Sequence, residues 1–64
     1  MTPTPEQLAA LQEFAEMYGR CWKSQLQTAW QLGYTRREAH LKPHLQQIRN
    51  QFGPEWLSKF KLSS

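Results

Sequence analysis

The chain has 64 residues, is 39% hydrophobic, contains a single Cys and carries a formal net charge of +3. One small domain over 1–64 takes up that length, and a core of this size supplies only ~3–5 kcal/mol without a staple or partner, which argues against a deep, enclosed active site. Lone Cys21 excludes an internal disulfide, and without a basic leader or a run of ~20 apolar residues the expectation is a cytoplasmic protein with no membrane contact.

The chain has no Val, no Asp and one Ile, while Leu, Gln, Glu, Ala, Lys and Arg fill most positions. This is helix-former composition and predicts an all-α domain of three or four helices. Thr4-Pro5-Glu6-Gln7 reads as a capping box with Pro at the first helical position. Leu8, Leu11, Phe14, Ala15 and Tyr18 then form an apolar stripe. Leu8, Ala15, Trp22 and Ala29 recur every seven residues without a slip at Gly19. That phase favours one continuous or kinked helix from 5 to 32, with two helices separated at Gly19 as the alternative.

Gly33 ends this region, and Thr35-Arg36-Arg37-Glu38 reads as a second capping box. Pro43 limits the helix that would follow to a short one. From Pro43 onward, Leu45, Ile48 and Phe52 continue the spacing begun by Leu41, and Gly53-Pro54 ends that run. Residues 54–60 predict a last single-turn helix, although Trp56, Phe60 and Leu62 also fit strand alternation.

Charge is uneven along the chain. Residues 1–19 hold Glu6, Glu13 and Glu16 and no base, whereas residues 20–64 hold all eight Lys and Arg against Glu38 and Glu55. A basic surface of this kind follows phosphates, because Lys and Arg release counterions on binding nucleic acid; the plain alternative is solvated surface charge. The window from Ala29 through Gly33 to Tyr34-Thr35-Arg36-Arg37 resembles a helix-turn-helix in which Arg36 and Arg37 meet DNA. Lys42 and Pro43 fit that motif poorly. Gln46, Gln47, Arg49, Asn50 and Gln51 suit base edges chemically, and equally suit a neutral polar helix face.

His40 and His44 have the four-residue spacing of a helical metal pair. Pro43 lies between them and the further ligands are lacking, so no metal is expected. Cys21, beside Trp22, has no positioned base and reads as a small buried hydrophobe. No phosphate loop or paired acids are present, and no catalytic residue or cofactor is assigned. Trp22 belongs to the main stripe, whereas Trp30 lies at its edge and is the candidate protein-contact residue, the alternative being a core edge covered by the C-terminal segment.

The strings Gly19-Arg20-Cys21-Trp22-Lys23-Ser24, Ala29-Trp30-Gln31-Leu32-Gly33 and Ile48-Arg49-Asn50-Gln51-Phe52-Gly53-Pro54-Glu55-Trp56-Leu57 resemble those of short, uncharacterised proteins of proteobacterial genomes, plasmids and integrated elements. The resemblance covers most of residues 8–60, is weakest over Tyr34–His40, implies a bacterial accessory protein and carries over no functional residue.

The sequence therefore predicts a non-catalytic binding module with nucleic acid as its partner. Its phosphate contacts are assigned to Arg36, Arg37, Lys42, Arg49, Lys59 and Lys61. The alternative is a protein-binding adaptor or homodimer that uses Trp30 and the apolar edge of the first helix.

Overall fold

A computed structural model describes residues 2–62. It is all-α, as the composition predicts. Helix α1 spans Pro5–Tyr18, a 3₁₀ turn spans Gly19–Cys21 and α2 spans Trp22–Leu32. A second 3₁₀ turn over Ala39–Leu41 leads into α3 (Lys42–Phe52), and the single-turn α4 covers Trp56–Lys59.

The start of α1 is built as its sequence predicts. The Gln7 amide donates to Thr4 Oγ1 at 3.1 Å, and the Thr4 amide donates to Gln7 Oε1 at 3.0 Å. The end of α1 is not. The helix stops at Gly19, whose backbone lies at φ +66°, ψ −136°, a region essentially restricted to glycine. The continuous helix over 5–32 is therefore corrected to two helices joined by a 3₁₀ turn.

That break explains which faces are buried. Gln7, Ala10, Leu11 and Phe14 form the inward face of α1, while Leu8 is 37% exposed. Helix α2 turns Leu26 and Ala29 inward and leaves Leu32 82% exposed. The seven-residue phase drawn across Gly19 does not survive because each helix selects its own face. Trp22 is only half-buried, and Cys21, expected as core packing, is exposed in the 3₁₀ turn. Leu11, Phe14, Leu26, Leu45, Ile48 and Leu57 are the fully buried large side chains, drawn from all four helices.

Nine residues separate α2 from α3, far more than the 3–4-residue turn of a helix-turn-helix. Thr35-Arg36-Arg37-Glu38 forms a turn, not a helix start: the Glu38 amide bonds the Thr35 carbonyl at 3.1 Å and only the Thr35 amide is taken by Glu38 Oε1, at 3.0 Å. Pro43 occupies the first turn of α3, where its missing N–H costs nothing. It thus opens the helix expected from Pro43 onward, and no helix forms over 35–38 for it to limit.

Glu38 is 3% exposed and holds this connection down. Besides the Thr35 amide, it accepts the Tyr18 hydroxyl at the end of α1 through Oε2. Gln7, 2% exposed, extends its Nε2 towards Gln47 Oε1 at 3.5 Å and so links α1 to α3. In the C-terminal segment, Phe52, Trp56 and Phe60 stack with successive centroids 4.7 Å apart. Lys23 Nζ donates to the Phe60 carbonyl and ties the end of α4 to α2.

Two outcomes test these corrections. Gly19→Ala is expected to lower the melting temperature, costing about 1–3 kcal/mol. An added Cβ meets nothing within 4 Å, so the loss reports backbone strain alone; an unchanged or raised midpoint would contradict the break. Cys21 is expected to react stoichiometrically with a thiol reagent in the native protein, and Cys21→Ala to shift stability by less than ~0.5 kcal/mol. A thiol that labels only after unfolding would return Cys21 to the core.

Candidate functional site

The six predicted phosphate contacts fall in three places. Arg36 and Arg37 lie in the turn before the second 3₁₀ segment, Lys42 and Arg49 on α3, and Lys59 and Lys61 at the end of α4 and beyond. Lys42 and Arg49 stand seven residues apart on one edge of α3, about 10 Å along its axis. Arg37 differs from the others, its guanidinium lying 5.9 Å from the centre of the Tyr18 ring, where a cation–π contact holds it beside the Tyr18–Glu38 pair. Lys61 lines a separate groove with Pro3, Pro5, Leu8, Phe60 and Leu62.

Arg49 and Trp30, singled out for different partners, line the same hollow. Helix α2 contributes Gln27, Trp30 and Gln31, α3 contributes Arg49, and the 54–58 segment contributes Pro54, Glu55 and Ser58 around a space of about 340 Å³. Trp30 is half-buried against the core, and its Nε1–H is fully buried without a hydrogen-bond acceptor. The indole and the 54–58 segment thus share the walls of the hollow.

Tyr34, two residues beyond the end of α2 and not among the residues lining this hollow, donates to Gln46 Oε1 at 3.4 Å. Burial raises its phenol above the ordinary 10.0, against the smaller opposing pulls of the Trp30 side chain and the Arg49 charge. The backbone positions the hollow's ionic groups. The Gly53 amide caps the Arg49 carbonyl at 2.8 Å as α3 ends, and Ser58 Oγ donates to the Glu55 carbonyl at 2.8 Å. Glu55, Gln27 and Gln31 carry no distinguishing mark in the sequence. The four-residue spacing of the two glutamines is its one trace, lost among the many other Gln residues.

The acidic side of the molecule lies elsewhere. Glu6, Glu13, His40 and His44 line a second hollow between α1 and the start of α3, and His40 Nε2 contacts Glu13 Oε2. Among the described residues no group of three or more His, Cys, Asp or Glu is arranged to hold a metal ion, and no helix is long and apolar enough to cross a membrane. Comparison of the chain with protein-family models, curated proteins and solved structures gives no match.

The raised phenol predicts an alkaline limit. A fold that favours the protonated Tyr34 gains full stabilisation from it below pH 10 and loses it as pH rises through the raised value. The difference between alkaline absorbance titrations of wild type and Tyr34→Phe is expected to give a midpoint above 10. A midpoint at or below 10 would place the hydroxyl in water.

Proposed function

We propose that this chain is a small, non-catalytic nucleic-acid-binding protein that engages phosphates through Arg36, Lys42 and Arg49, with Lys59 and Lys61 contributing from the C-terminal segment. One observation carries the reading. Among the described residues none of the eight Lys and Arg side chains forms an ion pair with a carboxylate; the only such contact is that of His40 with Glu13. Two of the acids, Glu6 and Glu13, line the hollow on the far side of α3, and a third, Glu38, is buried among hydrogen bonds. Positive charge left unneutralised by its own protein remains available to displace counterions from phosphate. The bacterial accessory role that the sequence resemblance implies fits this reading.

The test is fluorescence anisotropy on labelled duplex DNA, single-stranded DNA and RNA. Binding is expected to fall with salt at a log–log slope of ~0.9 per phosphate neutralised on duplex and ~0.7 on single strands. Arg36→Glu with Lys42→Glu is expected to weaken binding by roughly tenfold or more at ~0.1 M salt. The helical circular dichroism should be unchanged, because solvent-exposed charges contribute little to stability. Arg37 is left in place because its removal would disturb the Tyr18–Glu38 pair. Absence of binding to all three nucleic acids at low salt would end this reading and leave the protein-partner alternative centred on Trp30.

A further inference from the structure

The hollow between α2, α3 and the 54–58 segment holds a set of polar groups that do not satisfy one another. Arg49 and Glu55 line the same space of about 340 Å³, yet they form no ion pair within 4 Å. Among the described residues, no hydrogen bond joins the side chains of Gln27, Gln31, Arg49 or Glu55 to any other group of the chain, and Gln31, Arg49 and Glu55 are exposed, so their polar groups are open to a ligand. A cationic fork and a carboxylate that share a hollow without meeting leave room for a planar group offering an acceptor to one and donors to the other. The Trp30 indole supplies an apolar wall beside them, and the Gln27 and Gln31 amides stand one helical turn apart on the α2 side.

From this we infer that the hollow is a binding site for an unpaired guanine base, an inference that rests on the nucleic-acid reading and specifies its ligand. Guanine carries N1–H and the exocyclic N2 amine side by side, matching both oxygens of the Glu55 carboxylate. Its O6 and N7 are the acceptors that an arginine fork recognises. Adenine sets a donor beside an acceptor on the edge where Glu55 needs two donors. Cytosine offers the carboxylate only one amine. In a duplex the Watson–Crick edge of guanine is occupied, so the site demands a single strand, loop or bulge, where bases are splayed out against aromatic side chains and read on that edge. Arg49 thereby has two roles, in phosphate attraction and in base recognition, whereas Glu55 has only the second.

That division sets the experiment. Labelled single strands of about twelve nucleotides are compared by anisotropy: all-dT, and the same strand with central dG, dA, dC or deoxyinosine. The dG strand is expected to bind about tenfold or more tightly than all-dT, as one bidentate contact requires. Deoxyinosine, which lacks the N2 amine, should fall between them. Glu55→Gln is expected to abolish the dG preference while leaving salt-dependent affinity for all-dT equal or higher, since it removes a negative charge. Equal affinity for dG and dT strands, a preference for dA or dC, or a dG preference that survives Glu55→Gln would each overturn the guanine site while the nucleic-acid reading stands. Failure of every strand to bind at low salt would remove both.

Discussion

The backbone conformation of Gly19 decides how the rest of the molecule is built. At φ +66° and ψ −136° it ends α1 one residue after Tyr18 and lets a 3₁₀ turn restart the chain as α2. A helix carried through from 5 to 32 would be about 40 Å long, whereas the described residues extend 29 × 24 × 20 Å. Breaking the rod allows Leu11 and Phe14 on one side and Leu26 on the other to enter one core with Leu45, Ile48 and Leu57. Without it the apolar faces of α1 and α2 would point along a single stripe, and α3 would cover only part of it. Gly33 and Gly53 end α2 and α3 in the same way, so each of the three longer helices stops where a side chain would be strained.

A small hydrophobic core leaves the connections to be held by polar groups. Glu38 ties the long α2–α3 connection to the end of α1 through Tyr18 and Thr35, and Lys23 secures the end of α4. Gln7 joins the first turn of α1 to α3. In each case a polar side chain of the kind usually left in water is used to satisfy a hydrogen-bonding group on another element. A buried donor or acceptor left unpaired costs ~1–3 kcal/mol, a large share of what so small a domain has in total. The consequence for function is a subtraction: Lys23, Arg37 and Glu38 are engaged in structure, and the basic charges left open are Arg20 in the first 3₁₀ turn and those of the α3 edge, the turn before it and the C-terminal segment.

Part of the exposed charge is sided, although Glu55 shares the hollow of Arg49. The carboxylates of Glu6 and Glu13 gather with His40 and His44 between α1 and α3, while Arg49 faces the α2 side of α3 beside Trp30. At a screening length of ~10 Å in 0.1 M salt, the two sides of a molecule this size act as separate electrostatic surfaces. A net charge of only +3 therefore understates the potential at the basic side. The same arrangement brings an aromatic wall, two amides, a guanidinium and a carboxylate around one hollow, the combination on which the proposed base recognition rests.

What the sequence determined by itself were features set by near neighbours. The helical class follows from composition, the α1 cap from Thr4 and Gln7, the end of α3 from Gly53-Pro54 and the single turn of α4 from residues within four positions of one another. The turn at 35–38 misled because Thr35 and Glu38 suit a helix cap and a turn equally. Glu38 took the turn because Tyr18, twenty residues earlier, lay within reach of its carboxylate. Leu8 and Cys21 misled for a related reason: apolar character marks a residue for burial, but which face is buried depends on where the neighbouring helix lies. For the candidate site, Arg49 and Trp30 were legible singly, from charge and from position at the stripe's edge, whereas Gln27, Gln31 and Glu55 were not legible at all. Their meeting required α2 and α3 to pack together and the 54–58 segment to fold back beside them. Local propensity records only the chain within a few residues, and α2 meets the rest of the hollow at positions eighteen or more residues away, so only the tertiary structure decided it.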